Sequence, residues 1–109
     1  MISATFIFKQ KSTDIEFETL DHSIEKFVTN HPEYLGRDQW SNQEKGILAV
    51  VYYFQSEKGL AALKTFSEHK EAKSKYDKWY EGYKVIISQV LHTYGDGNLD
   101  HSILDRSDL

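Results

Sequence analysis

The chain has 109 residues, no cysteine and a formal charge of −4. That length fits one domain able to bury a core without staples, and the missing thiols exclude disulfides and thiolate chemistry. Four aspartates against a single arginine place most of the negative charge after Tyr94, so the body is near neutral without a basic stripe, which excludes the electrostatic footprint of a nucleic-acid binder.

The N-terminal "MISATFIFKQK" has no basic start and its apolar run breaks at Lys9, so no secretory signal is expected and the cytoplasm is the expected compartment. Ile2–Gln10 reads as a first strand, nearly as apolar on one face as on the other. Thr13 and Glu16 have the spacing of a capping box, which starts a helix at Thr13. Its apolar stripe is Phe17, Leu20, Ile24, Phe27 and Val28. Pro32 holds His31 out of helical geometry and ends it. Glu33–Asn42 reads as a second strand, and the polar turn "NQEKG" makes a hairpin with the run "GILAVVYYF" (Gly46–Phe54). That run is far short of the roughly 20 apolar residues a membrane helix needs, and its β-branched and aromatic content favours a strand. Ser56 caps a second helix carrying Leu60, Ala61, Leu63 and Phe66. After a phase shift near Ser67, a further helical stripe runs through His69, Ala72, Tyr76, Trp79, Tyr80 and Tyr83, with Gly82 as its stop. Tyr83–Leu91 is the last strand. The residues from Gly95 are polar and acidic, expected to be poorly ordered or draped over a neighbour, which divides the chain into a domain over 1–95 and a tail over 96–109.

The order β-α-β-β-α-β is the ferredoxin-like split motif, an α+β fold whose four-stranded antiparallel sheet has helices on one face only. The unhelical face then carries alternate residues of three apolar strands, a patch larger than the few hundred Å² usual on monomers. A second copy of the chain covering it, as a two-fold homodimer, resolves that exposure.

The stretch "VVYYFQSEKGLAALKTFSEHKEAKSKYDKWYEGYKVIISQV" (Val50–Val90) resembles the antibiotic biosynthesis monooxygenase (ABM) domain family. The shared features are an apolar strand ending in aromatics, the acidic turn "SEK", a Leu-Ala helix, "SEH.EAK" and "WY..Y.V.I..V". The resemblance implies a dimeric α+β barrel. It also implies an oxidoreductase of the monooxygenase type that uses O₂ without metal or flavin on a small aromatic, quinol-like substrate in an apolar pocket. The alternative is a non-catalytic dimer that binds a small ligand or heme. Oxygenases and heme degraders of this fold commonly place a tryptophan where this chain has Leu63. The heme degraders' first-strand asparagine falls at Phe6 or Phe8 and their axial histidine at Lys73, with His69 one turn earlier.

His69, on the stripe with Tyr76 and Trp79, is the candidate catalytic residue. An imidazole with an ordinary pKa near 6.5 can take a proton from a phenol or anchor a bound acid or heme; otherwise it is a helix histidine bonded to a carboxylate or water. Tyr52, Tyr53, Leu63, Phe66, Tyr76 and Trp79 are the candidate pocket residues, and Tyr52 and Tyr53 must point to opposite faces of their strand. No cofactor is expected, with heme as the one alternative, and no metal site. "DGNLDH" resembles a calcium loop at Asp96, Asn98 and Asp100, but His101 stands where that loop needs glycine and Ser107 where it needs glutamate. The expected partners are a second copy of the chain and a small aromatic ligand, with neither nucleic acid nor membrane.

Overall fold

The computed structural model describes residues 1–103. Its elements are β1 (Ile2–Gln10), α1 (Ile15–Thr29), β2 (Tyr34–Asn42), β3 (Ile47–Phe54), α2 (Glu57–Thr65), α3 (Ser67–Ser74), a 3₁₀ turn (Tyr76–Lys78) and β4 (Tyr80–Gln89). The strands form one sheet in the order β2-β3-β1-β4, and every neighbouring pair is antiparallel. This is the ferredoxin-like βαββαβ fold, with both helical segments on one face. No helix among the described residues is long and apolar enough to cross a membrane. Residues 104–109, the end of the expected tail, lie outside the described residues.

Local chemistry explains most element ends. Ser56 caps α2, its hydroxyl accepting from the Lys58 amide at 3.3 Å. Before Pro32, Asn30 closes α1, and its side-chain amide donates to the Lys26 carbonyl at 2.8 Å. At the β2–β3 turn Gly46 has φ 66°, a conformation that costs other residues strain. The cap of α1 differs from the expected Thr13 box. Asp14 holds that place: its Oδ1 accepts from the Phe17 amide at 2.7 Å and from the Trp79 indole N–H at 3.1 Å. Glu16 instead binds Lys75 at 3.1 Å and Lys78 at 3.0 Å. The second acceptor bond from Trp79 gives Asp14 an advantage that a threonine hydroxyl one residue earlier lacks.

The helical stripe expected through Tyr83 is not one helix. Phe66 takes extended dihedrals between α2 and α3, and α3 ends at Ser74. Tyr80 and Tyr83 lie on β4, which starts before and ends before the expected Tyr83–Leu91, and Gly82 is a strand residue opposite Lys9. The cause is Trp79. Its carbonyl accepts from the Lys11 amide at 2.8 Å and the Ser12 amide at 3.3 Å, so the chain is tied to the end of β1 and must run on as a strand.

Register decides what each face carries. Ala4, Phe6 and Phe8 of β1 pair with Tyr52, Val50 and Leu48 of β3 under the helices. Ala4, Val50, Tyr52 and Phe54 join Val28, Leu60 and Leu63 in the core. The opposite, open face carries Ile7, Trp40, Ile47, Ala49, Val51 and Ile86, interrupted by Ser3, Thr5, Asp38, Lys84 and Ser88. It is thus more polar than a reading of three wholly apolar strands suggests, because the heaviest residues of β1 turn toward the helices. Trp40 is nevertheless 63% exposed there and Ile86 42%. The bare apolar surface also wraps around β4: Tyr83, Val85 and Ile87, paired with Phe8, Phe6 and Ala4, are exposed on the helix side as well.

Candidate functional site

Tyr52 and Tyr53 occupy opposite faces. Tyr52 is in the core and its hydroxyl donates to Glu25 Oε2. Tyr53 is on the open face, where its hydroxyl donates to Asp38 Oδ2 at 2.9 Å. Leu63 shares the core cluster with Tyr52. Trp79 is fully buried against Phe17, with ring centres 5.4 Å apart, and serves the α1 cap. Phe66 stacks on Phe27 at 4.0 Å, and both line an open groove of about 480 Å³ with Ser23, Lys26, Asn30, His31 and Pro32. Tyr76 is half-exposed and meets Tyr83 edge-on at 5.0 Å. The structure therefore gathers Tyr52 and Leu63, and sets Tyr53 and Tyr76 apart from them.

His69 is half-buried on α3. At one end of α3 Phe66 stacks on Phe27 of α1, and at the other Lys75 reaches Glu16 of α1. Burial, and then the Lys73 charge, lower the His69 pKa from 6.5, so the folded chain favours neutral imidazole. The sign follows from linkage: the unfolded chain takes up the proton first, so this contribution to stability is complete above pH 6.5 and is lost as the pH falls. Urea midpoints are expected to fall between pH 7 and 5 for the wild type by more than for His69→Gln. Equal slopes would show that the imidazole is as comfortable charged in the fold as out of it.

The residues that converge on Tyr52 escaped the sequence reading. Asp21 and Glu25 stand one turn apart on α1, and Arg37 and Gln39 project from β2 on the helix side of the sheet. Glu25 Oε1 lies 3.1 Å from Arg37 Nε, an ion pair rather than a directed hydrogen bond. The other end of the guanidinium donates to Gln39 Oε1 at 3.0 Å, and its carbon stands 5.8 Å from the centre of the Tyr52 ring. Burial raises the Tyr52 phenol far above its ordinary range, and the bond to Glu25 adds to the effect, so Tyr52 remains a donor at any physiological pH. Burial and the Glu25 charge likewise raise Asp21 and Tyr34. Tyr80 is pushed up to about 12 by burial and then by Asp21. Phe6 meets Tyr52 edge-on at 5.8 Å, and Phe8 and Phe17 lie 4.8 and 6.0 Å from Tyr80.

The arrangement combines a carboxylate able to accept a proton, a guanidinium able to hold an anion, a phenol fixed as donor, and an aromatic wall. Among the described residues no three histidine or acidic side chains are grouped to hold a metal ion.

No family model matches the chain, and no curated protein matches it. Solved structures do. SnoaB, a cofactor-independent oxygenase from Streptomyces nogalater, matches with a TM-score of 0.66 at 9% identity, over 84% of this chain and 94% of its own. An antibiotic biosynthesis monooxygenase matches with a TM-score of 0.64 at 13% identity, over 84% and 99%. A Dabb family protein with a ferredoxin-like fold from Mesorhizobium loti matches with a TM-score of 0.59 at 14% identity, over 83% and 96%. The chain therefore shares over most of its length the fold of antibiotic biosynthesis monooxygenases and Dabb proteins.

Proposed function

We propose that the protein is a cofactor-independent oxygenase acting on a small aromatic, quinol-like substrate bound against the helix side of the sheet. The observation that carries the reading is the Glu25 carboxylate, set between the Tyr52 hydroxyl and the Arg37 guanidinium beside Phe6. The shared fold supports it, since that fold houses a protein described as a cofactor-independent oxygenase. Glu25 takes the proton of an activated C–H or phenol, and Arg37 holds the resulting anion. The anion gives one electron to O₂, and the radical pair closes a C–O bond to form a hydroperoxide. Loss of water leaves a carbonyl: a CH₂ group and O₂ become C=O and H₂O, with one oxygen atom in each product. The sequence-derived acceptor, His69, is the rival to Glu25 for the first step.

We also propose that the working form is a homodimer joined through the open face, where Trp40 and Ile86 are exposed. A second functional reading has an observation of its own. Both Glu25 oxygens already have partners, which suits a scaffold that binds a small aromatic ligand, or heme, without chemistry.

Oxygen uptake with anthrone-type and quinol substrates tests the first reading, and stoichiometric consumption with one labelled oxygen atom in the product is expected. Absence of uptake across such a panel, together with saturable binding of the same compounds, would establish the second. A Soret shift on heme titration that disappears in His69→Ala would assign the ligand as heme.

A further inference from the structure

The last described residues return to the sheet. β4 leaves it at one edge, where the Val90 amide donates to the Met1 carbonyl at 3.0 Å, and β2 forms the other edge. By His101 the chain stands at β2, having crossed three strand spacings, about 14 Å. His101 Nδ1 accepts from the Ile103 amide at 3.0 Å, which leaves the proton on Nε2. That Nε2–H donates to the Asp38 carboxylate, whose oxygens lie 2.7 and 2.9 Å away. The same carboxylate accepts from Tyr53, and the Tyr53 ring stands edge-on to His101 at 6.0 Å. Asp38 and Tyr53 both belong to the open face, paired with Val51 and Gly36.

Gly36 forms the seat for this segment. It is buried although it lies on an edge strand, and a Cβ there would come within 1.9 Å of Ser102 Oγ and 2.7 Å of Ser102 Cβ. A missing side chain, a shared carboxylate and a ring contact thus all receive one short stretch of chain.

We infer that residues 95–103 form a strap that covers the Gly36–Tyr53 end of the open face and competes there with a second copy of the chain. This rests on the homodimer reading and adds its regulation. Packed sheets stand about 10 Å apart with side chains filling the gap, and His101–Ile103 of the strap lie in that layer against Gly36 and Asp38 of β2 and Tyr53 of β3. The far end of the face, with Trp40, Ala49 and Ile7 in one cross-strand row, stays bare and is where the second copy first seats. Full sheet-on-sheet contact then requires the strap to lift.

Sedimentation equilibrium over a concentration series tests this with the wild type, His101→Ala, which removes the tether, and Gly36→Val, which fills the seat. Both variants are expected to self-associate roughly tenfold more tightly, the effect of losing about one net hydrogen-bond equivalent that holds the strap down. Hydrogen exchange at the Gly36–Asp38 amides, read in the same samples at monomeric concentrations, is expected to speed up in both. Dimers of unchanged or weaker affinity in the variants would overturn the strap and leave the dimer standing. Monomers throughout, at every concentration and in all three proteins, would overturn both.

Discussion

Replacing Trp79 with alanine lowers the unfolding free energy by about 3–5 kcal/mol, the range for removing a large aromatic side chain from a packed core. Trp79 has the most to lose of any residue here. It is 1% exposed, it packs on Phe17 from α1, and its indole N–H completes the α1 cap on Asp14. Its own backbone carbonyl, which takes two amide protons from the end of β1, turns the chain from the 3₁₀ segment into β4. Trp79→Phe separates these contributions: it keeps most of the volume and abolishes only the N–H bond. The phenylalanine variant is expected to lose a minor part of the alanine effect. Urea titrations measure both, with the m-value reporting whether the folded state stays compact. A shift below about 1 kcal/mol in Trp79→Ala would mean that the helical layer closes over the gap and that Trp79 does not anchor β4.

The same residue marks where the sequence stops being sufficient. Around it, "YDKWYEGYKVIIS" satisfies a helical stripe up to Tyr83 and a strand from Tyr80 equally well. Only the bonds from Lys11 and Ser12 to the Trp79 carbonyl, which are tertiary, break the tie. Signals confined to a few residues were legible: Pro32 after α1, the Ser56 cap, the β2–β3 turn, and the opposed tyrosines at 52 and 53. The Glu25 site was half legible. A hairpin that pairs Asn42 with Ile47 necessarily sets Arg37 opposite Tyr52, so the cation and the phenol follow from the turn. Which side of α1 then descends on them is a packing outcome with no local trace, and without it Glu25 reads as one more exposed helix carboxylate. His101 meets Asp38 across 63 residues, a contact that periodicity cannot reach. His69 showed the converse. It falls on an apolar stripe, as expected of a site residue, yet the structure breaks that stripe, with α3 ending at Ser74 and Tyr80 and Tyr83 lying on β4.

Glu25→Gln is expected to cut oxygen uptake by about 10²–10⁴-fold, the usual worth of a positioned general base, while leaving the fold intact. Glutamine preserves the length of the side chain and offers Tyr52 a carbonyl acceptor, so the contact that joins α1 to β3 survives. What it cannot do is take a proton, and its amide N–H₂ offers Arg37 no negative charge. The guanidinium is left with Gln39 as its one hydrogen-bond partner among the described residues, so substrate anions should bind no more weakly, and the loss should appear in kcat rather than KM. Tyr52→Phe gives the contrasting result. It frees Glu25 Oε2 from its donor, so the carboxylate remains available as acceptor, and the damage is expected to be several-fold smaller. His69→Gln supplies the decisive comparison: with Glu25 as the base, the half-buried imidazole on α3 should be dispensable for turnover. Were His69→Gln to lose turnover while Glu25→Gln kept it, the proton would be going to the histidine. The polar cluster under α1 would then be a structural tie between helix and sheet.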